Sequence, residues 1–437
     1  MSADCSHAEP RRRGEVKPSG IAWFGDVPEG WKVRKLFGSF TENKDKNKSL
    51  TYTRAMQFNY GRIVDKKESL DSGEVKEIYS KYSLVRKNDI IINGLNLNYD
   101  FVSQRVAISP KEGIITSAYI ALRPRQGISP SYYCYLFKSM DSKKMFHGLG
   151  TGIRLTLSFK ELRNLPLPVP PLPEQEAIVK YLDEATGKID KAIAAEEKMV
   201  ALLQERREIV INEAVGGGRD FNAEAQRRGV RRELQKGWKC STIKRYFDIT
   251  LGKMLCSRKL SDDYTLEKYF CAADVHFGDL NITHNKQMWF SRKEREQYLI
   301  KNGDLLIVEG GAGAGGACVV NGLSEKFYIQ NSILRLRSRG GASEHFVCYL
   351  LEGIVKRGYI EMACNKATIP HFTKEKAGEV PLVLPPLPEQ EAIVKRLDEE
   401  TGKIDRAIAV KRRQIELLRE RREIIINEVV TGKVKVA

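Results

Sequence analysis

The chain has 437 residues, with 73 Lys and Arg against 56 Asp and Glu, a net charge of +17 and a pI near 9.4. Two to four domains of about 100 to 200 residues are expected, and the excess of cations favours a polyanionic partner, nucleic acid before anionic membrane. Hydrophobic residues at 42 % and a mean hydropathy of −0.39, with no run near the roughly 18 apolar residues that a span needs, exclude a membrane-spanning chain.

The first segment, 1–19, is a charged tail. The chain's MSADCSHAEPRRRGEVKPSG start has charge where a secretory leader needs an apolar stretch, so a cytoplasmic protein is expected. The cysteines at 5, 134, 240, 256, 271, 318, 348 and 364 form no C-x-x-C pair and have no histidine at zinc-finger spacing. They read as reduced thiols packed as small apolar residues, with no metal site.

Residues 20–165 read as a first mixed α/β domain. Short apolar runs at Ile90 to Ile92, Ile114-Ile115 and Tyr119 to Leu122 are bounded by turn residues, and Tyr132 to Phe146 is helical in pattern. The loop from Asn93 to Arg105 follows a strand. It carries Asn93, Asn96, Asn98, Tyr99, Gln104 and Arg105, side chains that can pair with adenine or guanine edges or stack. Arg154 is a phosphate-contact candidate.

Segment 166–215 opens with prolines that favour extended chain. A helix is expected from Glu174 to Val215, roughly 63 Å at about 1.5 Å per residue, with Gly187 as the one point of interruption. Segment 216–236 reads as a linker, and 237–380 as a second mixed domain with strands at Leu305 to Val308 and Ile333 to Leu336 and a helix at Glu344 to Tyr359. Gly311, Gly313 and Lys366 are its DNA-contact candidates, since a glycine loop can lie close to a phosphate backbone. Segment 381–437 repeats the proline lead-in and long helix.

That repetition organises the chain. Pro170 to Val215 returns at Pro385 to Val430 with 33 identities in 46 positions and an offset of 215. The offset is too long for a solenoid, so the chain is a duplicated half-protein. Lys87-Asn88-Asp89 stands opposite Asn302-Gly303-Asp304 at the same offset, and Gly30-Trp31-Lys32 echoes Gly237-Trp238-Lys239. The segments between have diverged, which suggests one shared structural task and two different recognition tasks.

Along the long segments Leu182, Ile189, Leu203 and Val210 share one seven-residue phase, as do Leu397, Ile404, Leu418 and Ile425. Ile178, Ala185, Ala192 and Met199 form a companion phase in the first segment, and Ile393 and Ala407 in the second. Each helix is therefore expected to pair with the other. Glu196 and Lys411 interrupt the phase near the two midpoints, where antiparallel helices would bring acid to base. Glu196→Lys should then weaken the pair, and adding Lys411→Glu should restore it.

Catalytic patterns are sparse. Gly311 to Gly316 matches G-x-G-x-x-G after a strand-like run, which keeps a dinucleotide-dependent enzyme open. Against it, Ala317 to Val320 reads as another strand where a dinucleotide fold opens a helix. The chain has no P-loop, no H-E-x-x-H, no G-x-S-x-G and no amino-methyltransferase signature around its P-P pairs. No catalytic residue is assigned. A helical scaffold with no DNA role is the third reading.

The chain resembles the specificity subunit of type I restriction-modification enzymes over nearly its whole length. The resemblance rests on Ser19 to Trp31 (SGIAWFGDVPEGW), Leu157 to Leu162 (LSFKEL) and the repeated P-P-L-P-E-Q-E-A-I with its helix. It implies α/β (α+β) domains in tandem duplication, separated by long helices in an antiparallel coiled coil. It further implies a non-catalytic subunit whose two target-recognition domains read the halves of a split DNA site while the helices set the spacer. Two modification subunits that bind S-adenosylmethionine, and restriction subunits, are the implied protein partners. The entry to the second domain, GGGRDFNAEAQRRGVRRELQKG, departs from the family pattern of the first.

Overall fold

Apolar residues in both halves are gathered by short antiparallel strands whose order is the same. In the computed structural model, residues 15–21, 23–66, 73–99, 104–152, 155–216, 237–283, 286–364 and 371–436 are described. The first half runs β1 (Lys32–Lys35), β2 (Phe40–Glu42), β3 (Met56–Asn59), β4 (Arg62–Asp65), β5 (Ile90–Ile92), β6 (Val106–Ile108), β7 (Ile120–Pro124), α1 (Pro130–Ser142), β8 (Pro166–Val169) and α2 (Leu172–Val215). The second runs β9 (Lys239–Thr242), β10 (Phe247–Leu251), β11 (Val275–His276), β12 (Asp279–Leu280), β13 (Leu305–Val308), β14 (Ala317–Val319), β15 (Ile333–Ser338), α3 (Glu344–Lys356), β16 (Pro381–Leu384) and α4 (Leu387–Val430). One four-stranded sheet has the order β2-β7-β5-β6 and the other β10-β15-β13-β14.

Contacts divide the chain into two units, Met1–Glu197 with Arg413–Ala437, and Lys198–Arg412. The expected segmentation treats the long helices as pieces of their own. By contacts each helix is shared: one unit holds the start of α2 and the end of α4, the other the end of α2 and the start of α4.

Within each unit the two helices lie side by side. In the first, Asp190 pairs with Arg422 at 2.9 Å and Glu197 with Arg419 at 2.8 Å, while Ile178 and Leu182 share a core with Ile426, Val429 and Val430. In the second, Arg207 pairs with Asp405 at 2.9 Å, and Ile211, Ala214 and Val215 share a core with Leu397. Partner numbers rise along one helix as they fall along the other, so the pairing is antiparallel.

Both helices are 44 residues long and unbroken, Gly187 included. Leu182, Ile189, Leu397 and Ile404 are buried, while Leu203, Val210, Leu418 and Ile425 are half-buried and Met199 is exposed. Towards the helix ends burial moves to Ile211 and Ile426, each 29 positions beyond Leu182 or Leu397. That spacing is eight turns at about 3.6 residues, whereas a strict heptad drifts about 20° per repeat from a straight helix. Glu196 and Lys411 are half-buried and fall in different units.

The proline lead-ins, expected as extended chain, are extended and pair as strands. β8 pairs antiparallel with β1 and β16 with β9. Leu36 N donates to Leu165 O and Ile243 N to Val380 O, which puts the ladder bonds on Leu165, Leu167 and Val169 in one unit and on Val380, Leu382 and Leu384 in the other. Pro166, Pro168 and Pro381 fall on the positions between, where no N–H is needed.

Two buried glutamines from P-P-L-P-E-Q fasten the helices to their units. Gln175 Nε2 donates to Pro170 O (2.8 Å) and Gly127 O (3.3 Å), and its Oε1 accepts from Ser129 N (2.8 Å). Gln390 does the same with Pro385 O (2.8 Å), Gly341 O (3.4 Å) and Ser343 N (2.8 Å). Ser129 and Ser343 are the N-caps of α1 and α3, so each glutamine ties a long helix to the start of a shorter one. The helix expected to Phe146 stops at Ser142 because Lys144 is left-handed, and that expected to Tyr359 stops at Lys356 before left-handed Gly358.

The described cysteines are free thiols; Cys134, Cys318, Cys348 and Cys364 are buried, and burial pushes Cys318 up to about 12. No helix among the described residues is long and apolar enough to cross a membrane.

Candidate nucleic-acid interface

Each four-stranded sheet is built over a turn whose aspartate is buried. Asn88 and Gly303 hold left-handed φ values of 75° and 92°, the conformation that Asn and Gly tolerate best. The next residue, Asp89 or Asp304, accepts from the amide three positions back, Arg86 N at 2.9 Å or Lys301 N at 2.8 Å. Each also receives an arginine fork from the neighbouring strand: Arg123 to Asp89 at 3.2 and 3.0 Å, Arg337 to Asp304 at 2.7 and 2.6 Å. The carboxylate bonds hold both guanidinium groups above their ordinary pKa. These networks fix the base of β5 and β13, and the strands run from there to the two candidate loops.

The two loops are topological equivalents. Asn93 to Arg105 joins β5 to β6, and Glu309 to Gly316 joins β13 to β14. Each leans on a second segment through one matched bond, Leu157 N to Gly94 O at 2.8 Å and Phe372 N to Glu309 O at 2.6 Å. Those second segments contain the other two candidates. Arg154 and Lys366 themselves lie outside the described residues.

In the first loop, Asn96, Asn98 and Gln104 are exposed and Asn93 is half-buried, its Oδ1 accepting from Leu95 N at 3.2 Å. The side chain of Tyr99 lies outside the described residues. Arg105, named with these residues, turns inward. It is buried, and its guanidinium donates to the carbonyls of Asn93 (3.0 Å), Leu95 (2.6 Å) and Asn96 (3.1 Å), closing the loop from beneath. An arginine after a polar loop gives the same sequence signal in either role; only tertiary folding separates them.

The glycine loop is likewise self-contained. Ala314 N donates to Gly311 O (3.1 Å), Gly315 N to Val308 O (2.9 Å) and Gly316 N to Gly313 O (2.9 Å), and β14 follows antiparallel to β13. No helix opens at the third glycine, so the geometry of a pyrophosphate site is absent and the dinucleotide reading is not supported. Gly311, left-handed at 90°, and Gly313 remain at the loop surface.

Matched tyrosines escaped the sequence reading. Tyr135 Oη donates to Asp183 Oδ1 and Tyr349 Oη to Asp398 Oδ1, both at 2.7 Å, tying α1 to α2 and α3 to α4. Burial first, with the adjacent carboxylate, raises both phenols, Tyr135 to about 12. Their offset of 214, one residue short of the helix repeat, is the signal that would have found them.

Comparison with known proteins settles what these duplicated units belong to. The family model "Type I restriction modification DNA specificity domain" matches twice, over residues 28–198 and 235–418. The chain belongs to the type I restriction-modification specificity family. Among curated relatives, the MjaX specificity subunit of Methanocaldococcus jannaschii is 25 % identical over 94 % of this chain and 96 % of its own length. The type I restriction enzyme MjaVIII specificity subunit of the same organism is 24 % identical over 94 % of each. In fold, this specificity subunit is similar to a chain from "Structural basis underlying complex assembly and conformational transition of the type I R-M system" (TM-score 0.72, 17 % identity, 93 % and 99 % covered). It is also similar to the HsdS subunit from Thermoanaerobacter tengcongensis (TM-score 0.50, 19 % identity, 93 % and 98 % covered). Each matched stretch of the family model takes in one four-stranded sheet, its candidate loop and most of the following long helix.

Proposed function

We propose that this DNA specificity subunit is the non-catalytic reader of a cytoplasmic type I restriction-modification complex, recognising a split DNA site with one half assigned to each unit. The observation that carries the reading is the repetition of one sheet, one aspartate–arginine base and one glutamine latch beneath two loops of unrelated sequence. A shared frame with different tips suits two different half-sites. The unbroken helices are suited to act as the ruler between them, and to dock two modification subunits that bring S-adenosylmethionine and methylate adenine; restriction subunits add cleavage. The net charge of +17 fits a duplex partner. In the first loop Asn96, Asn98 and Gln104 are the base-edge candidates, with Tyr99 as a stacking candidate; Arg154, Lys366, Gly311 and Gly313 are phosphate-backbone candidates. The domain limits, 20–165 and 237–380, are carried as the two target-recognition domains, with 166–215 and 381–437 as the spacer segments, 1–19 as the tail and 216–236 as the linker.

The test is to copurify the full chain with the modification subunit of its own system and map methylated adenines in DNA exposed to the complex. A motif in two parts with a fixed unread gap is expected. An uninterrupted motif, or methylation without sequence preference, would overturn the reading.

A further inference from the structure

We propose that the turn joining β3 to β4, Asn59-Tyr60-Gly61-Arg62, is a DNA-contacting element of the first unit, with the Tyr60 ring laid against the bases of its half-site. This rests on the DNA reading above and adds an element outside the Asn93 to Arg105 loop. β3 and β4 pair from Met56↔Asp65 to Asn59↔Arg62, leaving a two-residue turn in which both Tyr60 (φ 44°) and Gly61 (φ 72°) are left-handed. Such a turn favours Asn or Asp before Gly, because a bulky side chain at positive φ crowds its own backbone. Tyr60 accepts that strain without any gain in packing: the residue is 77 % exposed and belongs to none of the buried clusters. A strained, solvent-facing aromatic suggests a role towards a ligand.

Its surroundings name the ligand. A Cβ placed on Gly61 would lie 3.7 Å from Gln104 Cβ and 3.8 Å from Val106 O, so the turn stands directly beside the end of the candidate loop. Asn59, Arg62 and Gln104 are exposed around it, and the nearest acid on the hairpin, Asp65, is occupied by Lys111 at 2.8 Å. An open ring flanked by an arginine and two amides fits a nucleobase and a phosphate better than an apolar protein surface.

The second unit shows what the same turn looks like without that task. β11 and β12 are joined by Phe277-Gly278, 217 positions on, and only Gly278 is left-handed, at 71°. Phe277 is half-buried against the second core, Gly278 N donates to Ala317 O at 3.1 Å, and Asp279 takes the place of Arg62. An aromatic–glycine turn packs inward where it serves the fold. In the first unit it is turned out and surrounded by donors.

The experiment is selection from randomised DNA duplexes by the full chain in complex with its modification subunit, for the wild type, Tyr60→Asn and Tyr60→Phe. Asn suits the left-handed turn, so Tyr60→Asn should melt no lower than the wild type. It should bind at least about tenfold more weakly and lose base preference at one or two positions of one half-site, leaving the other half unchanged. Tyr60→Phe keeps the ring and should keep the affinity. Unchanged motif and affinity in Tyr60→Asn would overturn the proposal, as would a lower melting temperature, since the ring would then be holding the fold. A wild type that selects no motif would instead overturn the DNA reading on which the proposal stands.

Discussion

The two units were given the same frame and different tips. Asp89 with Arg123 and Asp304 with Arg337, Gln175 and Gln390, and Tyr135 and Tyr349 make almost superimposable lists of bonds. Yet Gly94 is wedged against the backbone of Leu157 while Gly313 has only the end of the Val308 side chain within reach, and Tyr60 points out where Phe277 packs in. Duplication has preserved the interactions that orient each sheet on its helices and released those at the strand tips. That is the division expected when geometry is shared and recognition is not.

If the frame is truly shared, equal substitutions should cost the two units equally. The largest effect is expected from Asp89→Ala and Asp304→Ala, each of which strips a turn amide of its buried acceptor and an arginine of its bidentate partner, leaving it only Asp45 at 3.6 Å or Leu299 O at 3.3 Å. About 3 to 5 kcal/mol should be lost in either case, read by denaturant unfolding and by hydrogen exchange confined to the affected unit. A large loss in one unit and none in the other would break the comparison. Gln175→Ala and Gln390→Ala follow at about 2 to 3 kcal/mol each, because a serine amide and a proline carbonyl are left buried and unpaired.

The tips should behave in the opposite way. A Cβ on Gly94 would stand 2.2 Å from Leu157 O, so Gly94→Ala has to push two backbone segments apart, at about 1 to 3 kcal/mol, and should blur one half-site in methylation mapping. The nearest atom to a Cβ on Gly313 is Val308 Cγ1 at 3.9 Å, so Gly313→Ala should be close to neutral in stability. Equal costs would show that the two loops are held alike after all.

The smallest effect, and a matched one, is expected from Tyr135→Phe and Tyr349→Phe, about 1 kcal/mol each near neutral pH. Its pH dependence is fixed by the raised phenols. Tyr135 has a folded pKa of about 12 against an ordinary 10.0, so its contribution is complete below about pH 10 and lost as the pH climbs from 10 to 12. Melting curves of the wild type and Tyr135→Phe should therefore converge across that window.

Much of the frame was legible because it is local or repeated. The twin P-P-L-P-E-Q segments announced the long helices and the duplication, and Asp89 opposite Asp304 extended the repeat into the diverged domains. Leu182 and Leu397 of the seven-residue phase are buried, whereas at the far ends straight helices bury Ile211 and Ile426 instead. The tyrosine latches and the inward turn of Arg105 depend on contacts between residues distant in sequence, about which spacing says nothing. Tyr60-Gly61 and Phe277-Gly278 look alike as dipeptides; their different fates are decided by what packs beneath them.

The most direct test of the account is to lengthen the ruler. Seven residues, about two turns, inserted at matched positions of both long helices would add roughly 10 Å, or about three base pairs at 3.4 Å each. Methylation mapping should then return both half-sites unaltered with the gap between them widened by about three base pairs. A gap that stays the same, or half-sites that change while the gap does not, would contradict the claim that these helices set the distance between two independent readers.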